Sequence, residues 1–226
     1  MSSSSLRVAD RTVRDVLRSE GQFGPKAERI PVRTLLLCVV LGGGVQGAVM
    51  GLHDGRALQA VFSAIKVPLL LILSTLIVLP SFYMLHLVLG LQRDFLRVCR
   101  ATLVVQAVAA IFLASCAPLI GFAYYCSDVY PFATFVNGLA YLGAALLARV
   151  ALGQQVRSLI LREPKHRITV GSWLILYILV AIQLAWTMRP FVGWPEVEPS
   201  LFREEAWGNA YVRLFEALRK LVVAVG

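Results

Sequence analysis

Residues 67–90 read VPLLLILSTLIVLPSFYMLHLVLG, twenty-four consecutive positions without a Lys, Arg, Asp or Glu. As a helix rising 1.5 Å per residue, this run is about 36 Å long, enough to cross a hydrocarbon layer of about 30 Å. Lipid offers no water to peptide groups, so a run that enters it must satisfy its own backbone as a helix. The segment therefore reads as a membrane span. Pro68 suits its first turn, and Pro80 removes a hydrogen bond further in and predicts a kink.

Four more runs of the same kind lie at 34–52, 101–124, 131–152 and 168–188, with Pro118 as a second kink point. The expected fold is all-α, a polytopic membrane protein of five transmembrane helices. Composition agrees: 58% of the 226 residues are hydrophobic and 15% charged, against under half and about a quarter in soluble domains. The length suits one bundle with no separate soluble domain. Three regions result: a basic segment at 1–33, the bundle at 34–188, and a tail at 189–226.

The first region is polar and basic rather than a short charged stretch followed by an apolar one, so no cleavable leader is visible and the first span acts as an uncleaved anchor. Within it, Leu6, Val13, Val16 and Leu17 among Arg7, Arg11, Arg14 and Arg18 form a short helix with a narrow apolar side. It is either a solvated tail or a segment resting on anionic headgroups. At 57–66, Leu58, Val61, Phe62 and Ile65 recur at helical spacing and predict a short helix lying on the membrane surface. At 207–225, Trp207, Tyr211, Leu214, Phe215, Leu218, Leu221, Val222 and Val225 do the same. Arg213, Glu216, Arg219 and Lys220 interrupt that pattern, so it reads as an amphipathic helix rather than a sixth span.

Orientation follows from Lys and Arg in the connectors. The first region has seven (Arg7, Arg11, Arg14, Arg18, Lys26, Arg29, Arg33), the second connector three (Arg93, Arg97, Arg100) and the fourth four (Arg157, Arg162, Lys165, Arg167). The first connector has two, Arg56 and Lys66, and the third none. Fourteen against two places the N-terminus in the cytoplasm and the C-terminus outside. The five basic residues of the tail are matched by five acids. Tyr124, Tyr125, Tyr130, Trp186 and Trp194 then mark the outer interface and Trp173 the inner one. The net charge of +9 is thus topology and not a nucleic-acid footprint.

Gly43, Gly47 and Gly51 share one face of the first span, where another backbone can approach closely. That face serves either oligomerisation or packing within the chain. Gln46, Asn137 and Gln183 fall at one depth in the outer half. Three amides there form either structural glue or part of a binding site or polar pathway. Gln106 sits nearer the inner side. After the last span, Arg189, Trp194 and Arg203 lie in a proline-rich stretch that reads as a cap, with Arg189 pairing to Glu204 or Glu205, or as a docking surface for an outside partner.

No acid lies within a span, and Arg149 is close enough to the inner end to snorkel. His86, also near the inner end, reads as a packing residue without a second ligand to hold haem. Cys38, Cys99, Cys116 and Cys126 fall in separate compartments, which predicts no disulfide and no metal site. No catalytic motif and no cofactor motif is present, so an enzyme is not expected.

Lys66-Val67-Pro68, Leu87 to Gly90 running into Asp94-Phe95-Leu96-Arg97-Val98, and Ala117-Pro118 resemble the Yip1-type family of five-helix membrane proteins, over about residues 57–122. The resemblance implies five helices and a cytoplasmic N-terminus. Eukaryotic members are associated with vesicle trafficking, but their N-terminal acidic-Pro-Trp-Gly-Pro motif is missing here apart from Gly24-Pro25. The tail from Arg189 resembles a block in bacterial membrane proteins, which implies a bacterial cytoplasmic membrane.

These features point to a non-enzymatic membrane scaffold or accessory subunit that meets membrane lipids and a second copy or another membrane protein, with the glycine-rich first helix as the contact. The other expectation is a small channel or transporter built on Gln46, Asn137 and Gln183.

Overall fold

The computed structural model describes residues 3–18, 23–24, 31–55 and 57–192, and its regular structure there is helical throughout. Six helices follow in order: α1 Ser3–Arg18, α2 Val32–Gly51, α3 Ala57–Val88, α4 Phe95–Cys126, α5 Tyr130–Arg162 and α6 His166–Thr187. The last five are each long and apolar enough to cross a membrane. The amphipathic helix expected at 207–225, together with Trp194 and Arg203, lies outside the described residues.

The bundle has two ends. The α2–α3 and α4–α5 turns and Pro190 lie at one, the distal end. The α3–α4 and α5–α6 turns lie at the other, the basal end, with α1. Helix α2 packs along both α3 and α4, α4 along α5, and α3 along α6, while α5 and α6 barely meet. Small residues allow this. α4 buries Ala101, Ala107, Ala109, Ala110 and Ala117 among its valines, so neighbouring backbones come close. Large apolar side chains point outward, Leu37, Leu41 and Val45 on α2 and Ile168, Ile175, Ile178 and Ile182 on α6 among them. Lipid tails are as apolar as these side chains, so the exposure carries no penalty there.

Several helices outrun the expected spans. α4 begins at Phe95 rather than at 101, and α5 continues past 152 to Arg162. The reason is that the hydrocarbon ends while the helix does not: Arg, Leu and Gln are good helix formers in water as well. The added turns of α5 bury Gln155, Val156 and Leu159. Gln155 Nε2 donates to the Phe23 carbonyl at 2.8 Å, and Val16 and Phe23 are wholly buried in the basal core. The N-terminal helix thus docks on the bundle through Val16.

The largest correction concerns 57–66. These residues are the first turns of the 32-residue α3, not a separate surface helix, and Pro68 sits well inside it. Of the stripe expected to rest on the membrane, Leu58, Val61 and Ile65 face outward and Phe62 is half-buried. What holds the segment upright is its other face, Gln59, Ser63 and Lys66, which is buried. Trp173 is corrected too. It is buried in the core, stacked 5.3 Å from Tyr177, and does not mark an interface.

Candidate functional site

The glycine face of α2 sets the geometry of everything distal. A Cβ added at Gly47 would lie 2.1 Å from the Ser63 carbonyl oxygen, one at Gly51 2.5 Å from that of Gln59, and one at Gly42 2.6 Å from that of Ala110. Gly43 lies against Pro68, where an added Cβ would come within 3.2 Å of its nitrogen. Backbone meets backbone along the whole seam, so α3 and α4 of the same chain fill the face that a second copy was the alternative occupant for.

That close approach carries the polar face of α3 to the distal end. Gln59 Nε2 and Lys66 Nζ each donate to the Pro190 carbonyl at 2.8 Å, and Ser63 Oγ donates to the Phe191 carbonyl at 2.5 Å. Lys66 is 1% exposed, and its ammonium sits 5.9 Å from the centre of the Phe191 ring. The segment after α6 is clamped back onto α3, with Val192 buried beneath it. Arg189, expected to pair with Glu204 or Glu205, lies over Trp186 at 4.3 Å. Those two acids lie outside the described residues.

One turn of the bundle away lies the amide layer. Gln46 Nε2 donates to Asn137 Oδ1 at 3.2 Å. Asn137 Nδ2 in turn donates to the Ala133 carbonyl and to the Tyr124 hydroxyl. Gln46 and Asn137 are both buried. Gln183 stands on α6, which packs on α3, while Asn137 stands on α5, which packs on α4. The third member is Tyr124, which sequence reasoning assigned to the interface alone. Beyond it His53 stands edge-on to Tyr124 at 5.0 Å and to Tyr130 at 6.2 Å. His53 is 1% exposed, and neither of its ring nitrogens, nor Gln46 Oε1, has a hydrogen-bond partner. Gln106 belongs to a separate layer, donating to Thr75 Oγ1 at 3.0 Å and bonded to Tyr177.

The basal end holds the second polar cluster, which the sequence concealed. Gly90, at φ 73°, closes α3: Leu91 N–H reaches the His86 carbonyl at 2.7 Å and Gly90 N–H that of Leu87 at 3.1 Å. This left-handed glycine cap turns the chain back at once. It brings Asp94 under α6, where His166 Nε2 meets Asp94 Oδ2 at 3.3 Å. His86 is therefore not alone, since its ring centre lies 6.1 Å from that of His166. Spacing could not reveal the pair, because eighty residues separate its members and His166 reads as part of a polar loop.

Layered polar contacts inside five apolar helices define the class: a helical-bundle integral membrane protein. No family model, no curated protein and no solved structure matches the chain.

Proposed function

We propose that the chain is a non-enzymatic scaffold or accessory subunit of a membrane complex. In this proposal its basal end lies in the cytoplasm and its distal end outside, in a bacterial cytoplasmic membrane. The observation that supports it is the unevenness of the packing. α2 packs along both α3 and α4, whereas α6 packs mainly on α3 and buries only His166, Thr169 and Trp173. Gly138 and Gly153 on α5 and Gly171 on α6 have nothing within 4 Å of an added Cβ. Glycine lowers helix stability by about 1 kcal/mol relative to alanine, a loss that close approach of another helix offsets. The proposed contact is thus moved from the glycine face of α2 to α5 and α6. The likeness to Yip1-type proteins belongs to the same proposal and brings no trafficking role with it.

Native mass spectrometry of the protein extracted in mild detergent tests this. A dimer or heteromer is expected, and it should dissociate when Gly138 and Gly171 are replaced by leucine. A partnerless monomer that the replacements leave unchanged counts against the proposal.

A second proposal, a small conduit, is favoured by the unpartnered Gln46 Oε1 and His53 nitrogens, which would suit a passing polar solute. Solute flux into proteoliposomes should then fall in a Gln46→Leu, Asn137→Leu variant. Equal flux removes this idea.

A further inference from the structure

We infer that the basal histidine pair binds one monovalent soft metal ion of the copper(I) or silver(I) class. Metal-ligating histidines characteristically donate one ring N–H to a carbonyl or carboxylate, which leaves the other nitrogen free to bind. Both rings here are held that way. His86 Nδ1 lies 2.9 Å from the Phe82 carbonyl, a pure acceptor, so in the neutral ring Nδ1 carries the proton and Nε2 keeps its lone pair. His166 turns Nε2 to the Asp94 carboxylate at 3.3 Å, leaving Nδ1 as its lone-pair nitrogen. His86 Nε2 and His166 Nδ1 are buried and without hydrogen-bond partners, and the residues are 0% and 1% exposed. Two neutral lone pairs cannot bond to each other. What satisfies both at once is a metal ion or a water that donates both of its O–H bonds, and retention of an ion separates the two.

Distance and charge narrow its identity. Metal–imidazole bonds of about 2.0 Å on either side put the ring centres of a two-coordinate site about 6 Å apart, and here they are 6.1 Å apart. Among the described residues no group of three or more His, Cys, Asp or Glu is placed to hold a metal. A four-ligand protein site of the zinc type is thereby disfavoured, and an ion for which two nitrogens suffice is favoured. A single positive charge also suits the surroundings. Asp94 supplies one carboxylate, whose other oxygen faces the exposed Arg97 at 3.6 Å. The rings of Phe82 and Phe95, centred 4.4 Å and 5.6 Å from that of His86, line the site with apolar surface. Sequence reasoning expected no metal because the cysteines fall in separate compartments and His86 had no visible second ligand.

Thiols bind the same ions, so the test uses the full-length chain with Cys38, Cys99, Cys116 and Cys126 changed to serine. It is titrated with silver(I) in detergent and followed by native mass spectrometry. One ion per chain should be retained. His86→Gln and His166→Gln should each weaken retention about a hundredfold or more, and Asp94→Asn, which acts through His166, about 10- to 100-fold. Uptake of no ion, or retention by either histidine variant equal to that of the parent, overturns the inference. Should a variant fail to fold, X-ray absorption on the silver-loaded parent decides. Two nitrogen neighbours in line carry the proposal, and any other coordination sinks it.

Discussion

Helices α2 and α6 are close in length, 20 and 22 residues, and both are apolar enough to cross a membrane. Yet they sit in the bundle in opposite ways. α2 buries Leu35, Val39, Gly42, Gly43, Gln46, Gly47 and Gly51, while α6 buries only His166, Thr169 and Trp173. Hydrophobicity cannot explain the difference, since lipid solvates both equally well. Side-chain size can. Without a hydrophobic drive between helices, association rests on contact area and close backbone approach, which small residues provide. α2 has a glycine every fourth residue on one face, whereas the exposed side of α6 carries Ile168, Ile175, Ile178 and Ile182.

The sharpest way to break this comparison is to fill the seam. Gly47→Ala puts a methyl carbon 2.1 Å from a backbone oxygen that cannot rotate away. The helices must then separate, with an expected loss of about 3 kcal/mol or more, at or beyond the usual upper range for overpacking. Gly44→Ala is the control, because its nearest contact is 3.6 Å, and little change is expected. Unfolding by denaturing detergent, followed by circular dichroism, measures both. If the two variants behave alike, α2 is not the hub described here.

The end of α6 shows how an open helix is still held. Its C-terminal extension is fixed to α3 by Gln59, Ser63 and Lys66. Lys66→Met keeps most of the length and removes the charged donor, with an expected loss of about 1.5–3 kcal/mol, the range for hydrogen bonds to charged groups. Protease cleavage near Pro190 should quicken in step. Unchanged stability and cleavage would mean that the clamp follows the position of α6 without setting it.

How far the sequence could be read depends on the range of each interaction. The five spans were legible because hydropathy is summed along the chain. The glycine spacing on α2 and the common level of Gln46 and Asn137 were legible because helix geometry converts sequence number into face and depth. Which helix stands next to which was not, and the misses other than helix length trace to that. Trp173 was placed at the inner interface by its height, yet α6 stands against α3 and buries it. His86 lacked a partner until the Gly90 turn brought Asp94 and α6 beside it. For Lys66, charge pointed to the membrane surface, whereas two carbonyls of a distant segment draw the 57–66 face inward.

A smaller effect separates polar from steric contributions on α2. A double-mutant cycle with Gln46→Leu and Asn137→Leu should give a coupling of about 0.6 kcal/mol, and below about 1.7, as for other hydrogen bonds between membrane helices. Read by the same detergent unfolding, it should fall well short of the Gly47→Ala effect. A coupling that rivals the glycine would mean the amide pair, and not the small residues, fixes α2 against its neighbours.

The change expected on α6 is of similar size and has the opposite sign. An added Cβ at Gly171 meets nothing within 4 Å. In an isolated chain Gly171→Ala should therefore stabilise the helix by up to about 1 kcal/mol, the propensity difference between the two residues. If a partner helix presses on this face, the same methyl group meets a backbone. Association measured by native mass spectrometry should then weaken even as unfolding of the monomer becomes harder. The two readouts moving apart would mark α6 as a contact surface. Moving together, or not at all, they would leave it facing lipid, and its openness would be only what an outer helix shows.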